Sequence, residues 1–146
     1  MSTELDQTED IIIAAIQAAV PAFRVVDTWP GGKDLERLLE ETLVTPACYV
    51  VLSSWTPGEK KVIGPSATSD QQMSFRLAVI SENQRSDKDG SREAYAYAWS
   101  IMTALKGYKF STPLRGYLWP SAPVELQSVK NGYFAYGLEF ERRYTI

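Results

Sequence analysis

Residues 133–146, YFAYGLEFERRYTI, form the longest alternating run in the chain. Side chains along a strand point to opposite faces, with a period of two. Phe134, Tyr136, Leu138, Phe140 and Tyr144 therefore share one face, and Ala135, Gly137, Glu139, Glu141 and Arg143 the other. The first face must be covered. The second begins flat and ends charged. A single strand cannot satisfy this pattern alone, so the run demands a sheet with a layer packed on its apolar side. Gly137 in mid-strand marks a bulge or a close backbone approach.

The other segments supply the partners. QMSFRLAVIS (72–81) alternates strictly, with Met73, Phe75, Leu77 and Val79 on one face. PACYVVLSSW (46–55) is continuously apolar at its centre, as in a strand covered on both faces. The two read as a hairpin. TPGEKKVIGPSATSDQ (56–71) between them is polar and contains two prolines and two glycines, so it reads as a projecting loop. AFRVVDTW (22–29) and RGYLWP (115–120) read as strands, and PVELQS (123–128) as a further possible one. Asn131-Gly132 marks a tight turn before the last strand.

Three stretches carry the helical period. Ile12, Ile13, Ile16, Ala19 and Val20 fit one face of a helix starting near Glu9, with Thr8 as cap and residues 1–8 as a flexible tail. Leu35, Leu38, Leu39 and Leu43 fit a short helix over 34–43. AYAYAWSIMTALKG (94–107) starts like a strand, yet SIMTALK has no period of two. Its length favours a helix over 91–106, with Tyr95, Ala98, Met102 and Leu105 along the buried stripe, Ala94 and Ile101 beside it, and Gly107 as its stop. The alanines let the helix axis approach a sheet. The expected order is α-β-α-β-β-α-β-(β)-β: an α+β fold, with an antiparallel or mixed sheet and helices mainly on one face. Residues 9–146 read as a single domain.

Chemistry is sparse. The 146 residues include no histidine, which removes the commonest general base and most zinc sites. Cys48, the only cysteine, lies in an apolar run and reads as a core residue. Pro30-Gly-Gly-Lys33 lacks the remaining spacing of a phosphate loop. Glu139 and Glu141 share a strand face, but solvent exposure explains them more simply than acid/base catalysis. No spacing suggests a metal or cofactor. The net charge of −3 argues against a dedicated DNA-binding domain. The longest apolar run, residues 11–23, is too short to span a membrane. The polar, acidic N-terminus lacks the basic region of a signal peptide, which points to the cytoplasm.

What remains is a structural or binding protein, and the question becomes which surfaces bind. Tyr95, Tyr97 and Trp99 point in different directions around one helix, about 100° per residue, so they cannot all face one core. One reading of Tyr97 and Trp99 is packing at the core edge, tyrosine hydroxyl outward; in the other they are candidates for a subunit contact, together with the flat sheet face at Ala135 and Gly137. The projecting loop, with Trp55, Lys60 and Lys61, is the candidate contact for a different protein.

VDTWPGGKDLERLLEETLVTPACYVVL (26–52), SDKDGSREAYAYAWSIMTALKG (86–107) and YFAYGLEFERRY (133–144) resemble the small tail proteins of Mu-like bacteriophages. The element order is similar to that of phage tail terminators more widely. The resemblance covers roughly residues 9–146. It implies a virion protein, assembled in the host cytoplasm, that forms a homohexameric ring on the tail tube and ends its polymerisation. It also implies a tail-neck position for head-tail joining, with tube, sheath and neck or connector proteins as partners. DNA would pass through the ring without specific binding. The alternatives are a head-completion or connector protein and, less well supported, a small ligand-binding or enzymatic domain.

Overall fold

The computed structural model describes residues 4–29, 37, 39, 44–63, 66–82, 87–111, 114, 116–130 and 132–145. Two long helices are present, α1 (Glu4–Ala19) and α2 (Asp87–Leu105). The strands are β1 (Val25–Thr28), β2 (Ala47–Ile63), β3 (Ser66–Glu82), β4 (Tyr117–Pro120), β5 (Glu125–Lys130) and β6 (Tyr133–Thr145). They form one six-stranded mixed sheet, ordered β1-β2-β3-β6-β4, with β5 also paired to β6. Only β1 and β2 run parallel. The expected α+β fold, with its hairpin and its long final strand, is the observed one. The expected helix over 34–43 lies outside the described residues, except that Arg37 and Leu39 have helical backbone.

Burial follows the pleat. Met73, Phe75, Leu77 and Val79 of β3 join Leu138 and Phe140 of β6 and Cys48 and Val50 of β2 in one buried cluster. Ile12 and Ile16 of α1, and Ala98, Ile101 and Leu105 of α2, cover it. Both helices thus lie on the same face. Among the described residues, the cover of the opposite face is at one end, where Leu39 packs with Ile80, Tyr133 and Ala135. This explains the unbroken apolar run of β2: it is an interior strand, and both faces of its first residues are covered.

The buried stripe of α2 is Ala94, Ala98, Ile101 and Leu105. Tyr95 and Met102, expected inside, flank it instead: Tyr95 is exposed and its ring meets Tyr136 edge-on at 6.1 Å. The small side chains, not the aromatic ones, face the sheet, because a close helix-sheet approach leaves no room for a ring between them. Gly107, with φ +76°, ends the helix, and its N–H donates to Leu118 O of β4. A second glycine is held more tightly. At Gly116, with φ +89°, a Cβ would overlap the Arg143 carbonyl oxygen.

Three boundaries differ from expectation. Helix α1 begins at Glu4, so residues 4–8 are not a loose tail and Thr8 is not a cap. Leu5, Thr8, Ile12 and Ile16 fall on one helical face, and Leu5 packs against the core. Helix α2 begins at Asp87 rather than Ser91. Finally, residues 56–63 and 66–71 are strand, not loop: the β2-β3 ladder continues to Ile63–Ser66. Main-chain hydrogen bonds hold such a ladder whatever the side chains are. Two register shifts interrupt it, at Leu52/Ser54 and at Pro57/Lys60, the second directly after the proline. Since β6 accompanies β3 only as far as Asp70, the rest of this hairpin forms a two-stranded arm beyond the ladder with β6.

The sequence reading passed over Arg142. It occupies an even position on the apolar face of β6 and is 0 % exposed. Its guanidinium lies 4.0 Å from the Tyr144 ring centre and 4.9 Å from that of Phe110. Nη1 donates to Thr8 Oγ1 at 2.8 Å. The planar cation is thus stacked between rings and bonded across to α1.

Two expectations follow. Ala98→Trp should destabilise the fold by about 1–3 kcal/mol or more, whereas exposed Ala96→Trp should cost much less; paired thermal melts check this. Thr8→Val removes an acceptor from a buried cation and should cost about 1–3 kcal/mol, with Thr8→Ser retaining most of it, in denaturant titrations.

Candidate assembly surfaces

The core leaves several large apolar side chains in solvent, and their positions define the surfaces available for binding. Trp99 is the most prominent among the described residues, at 73 % exposed. It lies on a helix stripe with Thr103 and Lys106, three and four residues apart. Tyr97, its expected companion, is used within the chain. Its ring tilts against Phe23 at 5.1 Å and its hydroxyl donates to Glu93 Oε1 at 3.1 Å. Burial, and then the Glu93 carboxylate, raise the phenol above its ordinary range.

The flat sheet face divides in the same way. Ala135 is fully buried beneath this chain's own Leu39 cluster, so it offers no surface to a neighbour. Its small side chain admits covering residues from the same chain. Gly137 is half-buried between Ala78 of β3 and Glu125 of β5. Neither lies beside Trp99.

Trp55 is half-exposed on β2, where its Nε1–H donates to Gln71 Oε1 at 3.0 Å. It stands on the strand leading into the hairpin arm. The backbones of Lys60 and Lys61 are in that arm, paired with Ser69 and Thr68. Their side chains lie outside the described part of the structure.

The far edge of the sheet carries a second aromatic surface that sequence reading did not single out. Tyr117 and Trp119 alternate with fully buried Leu118, so both point away from the helices. With Glu141 and Arg143 they line a shallow depression of about 320 Å³. Arg143 Nε pairs with Glu141 Oε1 at 3.0 Å, and Gln72 Nε2 donates to Glu141 Oε2 at 2.9 Å. Glu141 is thus held by two neighbours rather than simply solvated. Lys106 Nζ sits 5.2 Å from the Trp119 ring centre. The alternation in Tyr117-Leu118-Trp119 was the available signal.

Among the described residues no group of acidic, cysteine or histidine side chains is arranged to hold a metal ion. Burial pushes the Cys48 thiol up, which disfavours the reactive thiolate. These sites offer aromatic faces, cations and hydrogen bonds, the components of protein-protein contacts.

The whole chain, residues 1–146, matches the family described as phage tail terminator protein. The chain belongs to this family. It is therefore a structural protein of the phage tail and a component of the virion. The match is to the terminator family and does not single out its Mu-like members. Among solved structures, a chain from the virion of a native gene transfer agent particle is similar. The TM-score is 0.56 at 18 % identity, covering 97 % of this chain and 98 % of that one. At that identity the likeness concerns the fold. No curated protein matches.

For this terminator-family chain the raised Tyr97 phenol gives a pH signature. Stability from its protonated form is fully present below the unfolded tyrosine pKa of about 10 and is lost as pH rises through the folded value. Tyr97→Phe should therefore lose less stability above about pH 10 than the wild type does, measured by denaturant titration across that range.

Proposed function

We propose that this protein is a tail terminator in the full sense: a homohexameric ring that caps the tail tube, ends its polymerisation and presents the surface for head-tail joining. The family match along the entire chain carries this reading. In a contractile tail the ring also meets the last sheath ring. Binding surfaces, rather than catalysis, are the chain's means of action, and it works without a cofactor.

The geometry supports a division of labour. Trp99 projects from the helix layer and is available for a subunit contact. The hairpin arm, with Trp55 at its base and Lys60 and Lys61 along it, extends beyond the sheet and suits contact with the tube, sheath or neck. The slight acidity of the chain suits a passage for DNA, because firm phosphate binding needs clustered lysine and arginine.

Adding purified protein to terminator-deficient tails and imaging the ends by electron microscopy tests the reading. Tails of uniform length, each bearing one six-fold ring, are expected. Trp99→Ser should reduce capping without lowering thermal stability. Wild-type protein that never appears at a tail end would sink the terminator reading and favour a connector role.

A further inference from the structure

The β2-β3 hairpin changes character at one level. Up to that level β3 is the middle strand of three, with β2 on one side and β6 on the other. The β6 ladder ends at Asp70, paired with Thr145. β1 has already stopped, at Thr28 opposite Val50. Among the described residues, 60–63 and 66–69 therefore pair only with each other.

The second register shift falls at the same level. From Gln71 to Ser69 β3 advances two residues, whereas from Pro57 to Lys60 β2 advances three. β2 thus carries one extra residue opposite Asp70, the last residue of β3 that β6 supports. An extra residue interrupts the ladder and bends the strand that holds it. Pro57, beside it, has no N–H to contribute.

Just inside that level the hairpin is fastened on both faces. On the helix side, buried Gln71 accepts the Trp55 indole N–H at 3.0 Å, across the hairpin. On the other side, Gln72 Nε2 donates to Glu141 Oε2, and Glu141 pairs with Arg143. One residue further in, Met73 Sδ lies 3.9 Å from Nη1 of buried Arg142. Residues 71–73 are thus tied to β2 and β6 through side chains as well as through the main chain. The arm beyond them joins the body through the interrupted β2 and the backbone of β3. A ribbon of two strands twists more strongly than a wider sheet and is the least stable form of one.

We infer that the hairpin carries a joint at residues 57–60, where the arm turns as a unit while its fastened base keeps its place in the sheet. The joint follows from the ladder; its use rests on the reading of the arm as the contact for tube, sheath or neck. The body then keeps one conformation, and the arm takes the direction that the partner surface requires. Val62, exposed on the arm, lies about 16 Å along the strand from Pro57, so a swing of about 30° carries it through about 8 Å.

Distances between spin labels in frozen solution test the joint. Labels at Val62→Cys and Gln17→Cys relate the arm to α1. Labels at Gln17→Cys and Thr103→Cys stay within the body, and all three positions are exposed. Native Cys48 is buried and its thiolate disfavoured, so it does not take the label. The arm-body distribution should be about twice as wide as the body one, or wider. Deleting Glu59 removes the extra residue and leaves Gly58 opposite Asp70 in a continuous ladder; the arm-body width should fall to that of the body pair. Glu59→Ala removes the same carboxylate but keeps the extra residue, and the width should stay large. On terminator-deficient tails the deletion should cap about tenfold fewer ends than Glu59→Ala. Equal widths for the arm and body pairs would overturn the joint, as would a folded deletion variant as wide as Glu59→Ala. If the deletion fails to fold by circular dichroism, the comparison of arm and body widths decides alone. A narrow deletion variant that caps as well as Glu59→Ala would overturn the use of the joint in docking. Wild-type protein absent from tail ends, with a wide arm distribution that the deletion narrows, would remove the terminator reading and leave the joint standing.

Discussion

The arrangement of the layers depends on one buried cation. Arg142 occupies a core position on β6, between Phe140 and Tyr144, where the alternating pattern calls for an apolar side chain. Removing a guanidinium from water is costly unless its charge and its donors find partners. Here two aromatic rings flank it and Thr8 accepts one N–H. Thr8 does this from the second turn of α1. The bond ties the start of α1 to β6. Met73 Sδ, 3.9 Å from Nη1, extends the same contact to β3. Three elements distant in sequence are registered through one side chain.

This contact also marks where sequence reading succeeds and fails. Period-two runs in 72–81 and 133–144 made the hairpin partner and the last strand legible, because one covered face imposes alternation. Gly107 made the end of α2 legible through its φ requirement. The start of α1 was hidden because its inward face includes Thr8, a residue that looks like a cap, in place of a further leucine. The hairpin arm was hidden for a different reason. Main-chain pairing by itself imposes no hydrophobic period, so the polar residues of this ladder and Pro57 resembled a loop. Tyr95 misled in α2, since a close helix-sheet approach favours alanine over any ring.

The surfaces divide along the same lines. Trp99 was readable as surplus to the core, because adjacent aromatics on a helix cannot share one face. Ala135 was not readable as buried, because the cover over it comes from Leu39, far away in sequence. Small residues on an open face and small residues under a neighbouring segment look alike in a sequence. Tyr117 and Trp119 were visible only as part of a short strand. Their role as a surface depends on which side of β6 that strand joins, and on Lys106 reaching Trp119 from the end of α2.

An open sheet covered by helices on one face has two unlike edges by construction. The β4 edge is bordered by residues 107–110, which hydrogen-bond to Gly116 and Leu118, so its main chain is largely occupied. Its remaining capacity for binding is in side chains: two aromatic faces and nearby cations. The β1 edge is a strand of four residues backed by the acidic flank of α1. Unlike edges disfavour a two-fold interface, in which each patch must complement itself, and favour a head-to-tail one.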